Sequence, residues 1–191
     1  MLVKPDGVQR NLIGEIIGRY ERIGLKLVGL KMLVPTPDLI ERHYMNDEGW
    51  LAEVGKKKIE NFKAKGLPLK TDDPVVVGRL VLERLKSFMT SGPVVAMIWE
   101  GAHAVAIVRK LVGGTEPLSS DVGTIRGDFV LDSYQMSDAD ERSIRNLVHA
   151  SSAVAEADKE IAMWFRPEEI LNYRLISEAI LYDVNLDGIL E

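Results

Sequence analysis

The sequence predicts an α+β fold, a ferredoxin-like antiparallel sheet with helices packed on one face. Three observations carry this. Short apolar stretches of strand type alternate along the chain with longer stretches of helical period. The order of elements is strand, helix, strand, helix, helix, strand, helix, strand, which a split β-α-β arrangement closes naturally. No internal repeat or low-complexity linker divides the 191 residues, a length suited to one domain with a proper core.

Leu2-Val3 reads as the end of a strand, and Lys4-Pro5-Asp6-Gly7 as a tight turn. Asn11 to Ile23 carries apolar residues on one helical face, with Gly24 as its stop. Leu25 to Val34 alternates as a strand. Thr36-Pro37-Asp38 then starts a helix running to about Tyr44, Thr36 capping it and proline lying in the first turn. Trp50 to Ala64 reads as helical, and its Lys56-Lys57-Lys58 run as a solvated face. Gly66 to Pro74 is a loop. Helix is expected from about Gly78 to Met89, with Val75-Val76-Val77 open to a short strand.

Val94 to Trp99 is a continuous apolar run of buried-strand type after the turn Ser91-Gly92-Pro93. Ala102 to Val112 follows as a helix stopped by Gly113-Gly114. Thr124 to Leu131 reads as a further strand, and Ser137 to Glu141 as the cap of a short helix. Val154, Ala157, Ile161, Trp164 and Phe165 give the next helix an apolar face, with Ser151 or Ser152 as its N-cap. Ile170 to Tyr182 closes the chain as a partial helix, before a tail containing Asn185-Leu186-Asp187-Gly188.

Composition narrows the function. Apolar residues make up 46% of the chain and charged residues 28%. Both shares are ordinary for a globular protein. No apolar run reaches the length of a membrane span. The chain enters a strand and turn directly, so no signal peptide is expected and a cytoplasmic location fits. Absence of cysteine removes disulfides, thiolate metal sites and a thiol nucleophile. A net charge of -5 argues against general nucleic-acid binding, so any anion site must be local.

His149 is the leading chemical candidate. It precedes a helix on whose flank Glu160 lies, and a carboxylate that orients an imidazole is a common route to a nucleophile or base. Taken alone, the stretch reads first as a half-buried histidine at a helix end, satisfied by a nearby acceptor. Lys4, Arg109 and Arg126 lie beside turn residues, where they suit phosphate binding, with Thr115 as a hydroxyl donor. Each arginine alone also reads as a surface ion pair. Neither a Gly-x4-Gly-Lys-Ser/Thr loop nor a Gly-x-Gly-x-x-Gly fingerprint is present, so side chains rather than a glycine cradle would hold phosphates. The three histidines show no metal-ligand spacing, and His43 and His103 are weaker candidates than His149.

Four segments together carry a resemblance: Lys4-Pro5-Asp6-Gly7-Val8-Gln9-Arg10, Ser91-Gly92-Pro93-Val94-Val95, Gly123-Thr124-Ile125-Arg126-Gly127-Asp128-Phe129 and Arg145-Asn146-Leu147-Val148-His149-Ala150-Ser151. In this order they resemble the signature segments of the nucleoside diphosphate kinase family, over nearly the whole chain. The resemblance implies a ping-pong transfer of the terminal phosphoryl group between nucleoside triphosphates and diphosphates, through a phosphohistidine on His149. It implies that Lys4 and Asn146 hold the ribose hydroxyls while Arg109, Thr115 and Arg126 hold the phosphates. Tyr44 and Glu160 would contact and orient the imidazole, and Ser151 would support Glu160. Mg²⁺ is expected with the nucleotide phosphates, as are broad base tolerance and a homo-oligomer, a hexamer by preference. The alternative is a catalytically silent nucleotide-binding or scaffold protein of the same fold, whose mark would be loss of His149, Lys4 or an arginine.

The chain also departs from the family's pattern. Its stretch between Tyr44 and Ser91 is longer, a mainly helical insertion within 47–90. The family's base-stacking phenylalanine falls on Val81, and Trp50 or Phe62 could replace it. A second insertion near Asp132 to Ser143 removes the family's base-facing valine. Ala150 and Ser152 stand where the family has glycine and aspartate.

Overall fold

The computed structural model describes residues 1–45 and 49–182. The Asp47 start of the expected insertion and the tail beyond Tyr182 lie outside them. The described chain runs through β1 (Leu2–Val3), α1 (Pro5–Gln9), α2 (Ile13–Glu21), β2 (Lys26–Leu33) and α3 (Pro37–Tyr44). Next come α4 (Trp50–Ala64), α5 (Pro74–Met89), β3 (Val94–Glu100), α6 (Ala104–Val112), α7 (Ile125–Phe129) and α8 (Tyr134–Ala139). It closes with β4 (Val148–His149), α9 (Val154–Trp164) and α10 (Glu178–Tyr182), with short 3-10 turns at Pro117–Ser119 and Pro167–Glu169.

The four strands lie in the order β2-β3-β1-β4, every neighbouring pair antiparallel, which is the ferredoxin-like arrangement. Successive side chains on a strand face opposite sides. Val3, Val95, Met97 and Val148 accordingly pack with α2 and α6 through Ile16, Tyr20, Val108 and Val112. Leu2, Val94, Ala96 and Ile98 pack on the other side with Ile40 of α3, Met89 of α5 and Trp164 of α9. Helices therefore cover both faces rather than one. The continuous apolar run of β3 is the reason, since both of its faces bury side chains.

Several elements differ from the sequence reading, each for a local reason. Lys4-Pro5-Asp6-Gly7 opens a short helix, Pro5 occupying its first turn, where a missing N–H costs nothing. Asp73 caps α5 by accepting from Val75 N at 2.9 Å and Val76 N at 3.3 Å. With that cap in place, Val75-Val76-Val77 is helical, not extended. The expected strand at Thr124 to Leu131 is α7, because the Thr124 hydroxyl accepts from Gly127 N at 3.0 Å and starts a turn of helix. Ser133, not Ser137, caps α8. The partial helix expected from Ile170 is confined to α10. Ala153 takes the N-cap position of α9 without a side-chain bond, leaving Ser151 free for another partner.

α4 and α5 form a hairpin that adds a wall beside the sheet. The two helices approach unusually closely through two glycines. A Cβ on Gly55 would lie 1.7 Å from Pro74 O, and one on Gly78 2.0 Å from Leu51 O. Only a residue without a Cβ lets two backbones meet this closely. Among the described residues no helix is long and apolar enough to cross a membrane.

Candidate active site

His149 is the last residue of β4 and pairs with Leu2. Strand alternation turns its ring to the face covered by α3 and α9, while Val148 enters the opposite core. The residue two before it, Leu147, has φ +62°. Val148 N bonds back to Asn146 O at 2.7 Å, closing a tight three-residue turn. Two contacts hold this turn: Lys4 N donates to Leu147 O at 2.7 Å, and Leu147 N donates to the Asp6 carboxylate at 3.1 Å.

Glu160, on α9, brings one carboxylate oxygen 2.7 Å from His149 Nε2. Its other oxygen accepts from Ser151 Oγ at 2.6 Å. A carboxylate only accepts, so the ring proton rests on Nε2 and the lone pair on Nδ1. Burial, reinforced by nearby positive charges including Lys4, holds the His149 pKa well below its ordinary value. The ring is therefore neutral at pH 7.

His43 and Trp164 complete the support. The His43 ring packs edge-on against His149 with centroids 4.4 Å apart. Trp164 Nε1 donates to His43 Nδ1 at 3.2 Å. Burial first, and then the neighbouring His149, pushes the His43 pKa down to about 3, so it stays neutral and does not compete for the Glu160 charge. Sequence alone ranks His43 as weak and does not single out Trp164 or Asp6. Only the adjacency of His43 to Tyr44 on α3 hints at its place.

In front of His149 opens a cleft of about 520 Å³. Lys4, Tyr44, Arg109, Thr115, Arg126, Asn146 and His149 all line it, while Glu160 and Ser151 lie behind the imidazole. Lys4 Nζ donates to Asn146 Oδ1 at 2.7 Å, and Asn146 Nδ2 donates to Thr115 O at 2.8 Å, joining three of these residues in one chain. Burial, then the Arg126 charge, brings the Lys4 pKa down to about 7. Tyr44 stands edge-on to His149 with centroids 6.1 Å apart. Its buried hydroxyl has no partner among the described residues. Buried polar atoms are ordinarily satisfied, so an unpaired hydroxyl on a residue that lines the cleft is a candidate donor to a bound acceptor.

Arg126 plays a different part from Arg109. Its guanidinium donates to the carbonyls of Asn146, Gly113, Gly114 and Val148 at 2.7–3.2 Å, and it is 5% exposed. It ties the loop after α6 to the strand bearing His149, with one N–H left over. Burial, then Arg109, lowers its pKa to about 10, so it remains charged. Arg109 is exposed, and its side chain contacts Ala150 O at 3.4 Å.

The insertion contributes too. Trp50 lines the cleft, whereas Phe62 lines a separate one beside α8. The lysine run divides: Lys56 is exposed, Lys57 lines the cleft, and Lys58 pairs with Asp138, so the run is not uniformly a solvated face. Among the described residues that line the cleft the only carboxylate is Glu156, against seven lysines and arginines. Such a cleft suits a polyanion.

A neutral imidazole backed by a carboxylate, at the floor of a cationic cleft on this sheet, defines a phosphotransferase-type site for a nucleotide. Comparison with known proteins is specific. The family model described as nucleoside diphosphate kinase matches residues 1–51 and 75–170. A nucleoside diphosphate kinase of Pyrobaculum aerophilum is 48% identical over 175 residues, covering 90% of this chain and 96% of its own. One from Acaryochloris marina is 40% identical, covering 96% of this chain and 97% of its own. Among solved structures, an NDP kinase from Pyrobaculum aerophilum aligns with a TM-score of 0.87 at 47% identity, over 90% of this chain and 96% of that one. A nucleoside-diphosphate kinase of Borrelia burgdorferi, solved as a transition state mimic with bound vanadate and ADP, aligns at TM-score 0.75 and 36% identity, over 94% and 92%. The chain belongs to the nucleoside diphosphate kinase family, and it is an enzyme of nucleotide phosphate transfer.

Proposed function

We propose that the chain exchanges terminal phosphoryl groups between nucleoside triphosphates and diphosphates in two steps through His149. In the first, the Nδ1 lone pair attacks the γ-phosphorus; a P–N bond forms as the β–γ bridging P–O bond breaks, and the nucleoside diphosphate leaves. In the second, a terminal oxygen of a different nucleoside diphosphate attacks the same phosphorus, the P–N bond breaks, and the neutral imidazole returns. The single observation that carries this reading is the 2.7 Å contact of Glu160 with Nε2, which leaves Nδ1 as the available nitrogen.

Glu160 stabilises the positive charge that grows on the ring, and Ser151 holds the carboxylate in place. Lys4, Arg109 and Arg126 offset charge on the transferring group, where most catalysis of phosphoryl transfer resides. Thr115 and the unpaired Tyr44 hydroxyl donate to phosphate oxygens, and Lys4 with Asn146 faces the ribose. The vanadate and ADP named for the Borrelia relative support a nucleotide in the corresponding cleft.

The donor set bears on Mg²⁺. Magnesium prefers hard oxygen ligands, often largely phosphate oxygens and water. Among the described residues the cleft offers one carboxylate, Glu156, and the cluster of His43, His149 and Glu160 is rich in nitrogen, a set suited to other metals. The residues therefore fit the ion as a counterion of the nucleotide's phosphates, with Glu156 nearby; when bound, it supplies charge neutralisation.

A homo-oligomer, hexamer favoured, is part of the proposal. Exposed apolar side chains support it on the edge strand β2 (Leu30, Met32) and on the loop holding Leu118 and Val122. A monomer in sedimentation at micromolar concentration would remove it. A cytoplasmic location follows the Dictyostelium discoideum relative, which is named cytosolic.

Incubation with γ-labelled ATP tests the central step. The protein should take up label that is labile to acid and stable to alkali, and His149→Ala should abolish both labelling and exchange. Label stable to acid, or a His149→Ala protein that still exchanges, would place the nucleophile elsewhere.

A further inference from the structure

The cleft extends well past the groups that face the phosphates. One wall is α4, whose Trp50, Val54, Lys57 and Asn61 all line it. Their spacing of four, three and four residues places them on one helical face. Trp50 marks the imidazole end, its ring 6.3 Å from that of Tyr44. Asn61 comes eleven residues later, roughly 16 Å further along the helix axis. That separation suits the distance from a nucleotide's terminal phosphate to its base.

Two features at this far end point to a ligand. The Oδ1 of Asn61 is buried and has no hydrogen-bond partner among the described residues. The ring of Tyr134, at the start of α8, lies against the same stretch of α4, with the Lys58 and Lys65 ammonium groups 5.8 and 5.9 Å from its centroid. Tyr134 also lines the cleft. Tyr134 and Asn61 thus line the same cleft, and an aromatic ring and a carboxamide with an unpaired oxygen are groups that can bind a nucleobase, the one by stacking and the other at its polar edge. Asn61 falls within residues 52–74, which the match to the family leaves out.

We propose that Asn61 reads the base, and that this chain favours adenine over guanine. The inference rests on the cleft being a nucleotide site. A carboxamide presents one donor and one acceptor side by side. Adenine answers with the N6 amino donor and the N7 acceptor. Guanine presents O6 and N7 there, two acceptors, so one of them faces the amide oxygen whichever way the amide is turned. The insertion thereby adds base selectivity to a site otherwise built around ribose and phosphates.

The test is calorimetric titration of the wild-type protein and Asn61→Leu with Mg-ADP, Mg-GDP and Mg-7-deaza-ADP. The wild type should bind ADP about ten-fold more tightly than GDP, the scale of one bidentate base contact. Loss of N7 should bring 7-deaza-ADP close to GDP. Asn61→Leu should bind all three alike. If that variant does not fold, Asn61→Ala, which removes both the donor and the acceptor without adding apolar bulk, must lose the preference instead. Equal wild-type affinities for ADP and GDP, or a preference that survives the folded variant, would overturn the inference while leaving the enzyme reading intact. Failure of the wild type to bind any of the nucleotides would overturn both.

Discussion

Glu160→Gln isolates the charge behind His149, the proposed nucleophile. Glutamine matches glutamate in shape and still offers an oxygen to His149 Nε2 and an amide to Ser151, at positions now 2.7 and 2.6 Å from the carboxylate. What it removes is the negative charge that the ring needs as it becomes positive. A hydrogen bond to a charged group contributes about 1.5–3 kcal/mol and a neutral one about 0.5–1.5 kcal/mol, so at least about 1–2 kcal/mol is lost. The attraction of full unit charges about 4 Å apart, about 4 kcal/mol at an effective dielectric of about 20, sets the upper limit. At about 1.36 kcal/mol per factor of ten, kcat should fall at least about 5- to 30-fold and at most about 1,000-fold. Nucleotide affinity should hold, because Glu160 does not line the cleft. Single-turnover transfer of labelled phosphate to the protein, with nucleotide affinity measured separately, gives both quantities. A transfer rate within about two-fold of wild type would show that the carboxylate only anchors α9. A loss confined to affinity would mean that it contacts nucleotide.

Other consequences follow from the same geometry. Lys4, whose pKa is brought to about 7 by burial, should make stability depend on pH. Below pH 7 folded and unfolded chains both carry the proton and the folded one bears the full cost of burying it. Between there and the ordinary lysine value of about 10.4 only the unfolded chain holds it, so stability rises with pH. Urea midpoints from about pH 7 to about pH 9.5 should climb more in wild type than in Lys4→Met, and parallel curves would contradict the buried cation. Arg126→Lys keeps a charge but cannot span four carbonyls, so both melting temperature and kcat/KM should fall, whereas a purely phosphate-binding arginine would lose kcat/KM alone. Gly55→Ala drives a methyl into the backbone of Pro74. It should cost about 1–3 kcal/mol in chemical denaturation, and a neutral result would mean that α4 and α5 pack less closely than described.

Much of this site is legible in the sequence because its parts come as short contiguous segments. Lys4, Arg126, Asn146 and His149 each belong to a recognisable run, and the structure brings all four to one cleft. Asp6, His43 and Trp164 are not legible in their present roles, since their partners lie 141, 106 and 121 residues away. Secondary structure escapes the pattern where a side chain overrides it. Thr124 turns an apparent strand into a helix through one hydroxyl, and Asp73 does the same for three consecutive valines that favour extended backbone on propensity alone. Ser151 has the right composition and position for a helix cap, yet donates to Glu160 instead. A capping side chain and a carboxylate support look identical in one dimension.

The register of two very short strands sets the whole site. β1 pairs Leu2 with His149 and Val3 with Val148, so a slip of one residue would exchange the imidazole for a core valine. Two residue pairs alone specify a register weakly. The remainder comes from Asp6, which binds Leu147 N, and from Lys4 N, which binds Leu147 O. These bonds fix the left-handed Leu147, whose side chain is fully buried and holds the turn from the core side. The same few residues also deliver the cleft's own groups: Lys4 follows β1 directly and Asn146 precedes the turn, so the register that aims His149 also joins Lys4 to Asn146. The imidazole and the cleft groups Lys4 and Asn146 are therefore positioned by one local arrangement. For that reason a buried carboxylate that does not line the cleft, Asp6, stands structurally between the sheet and the site.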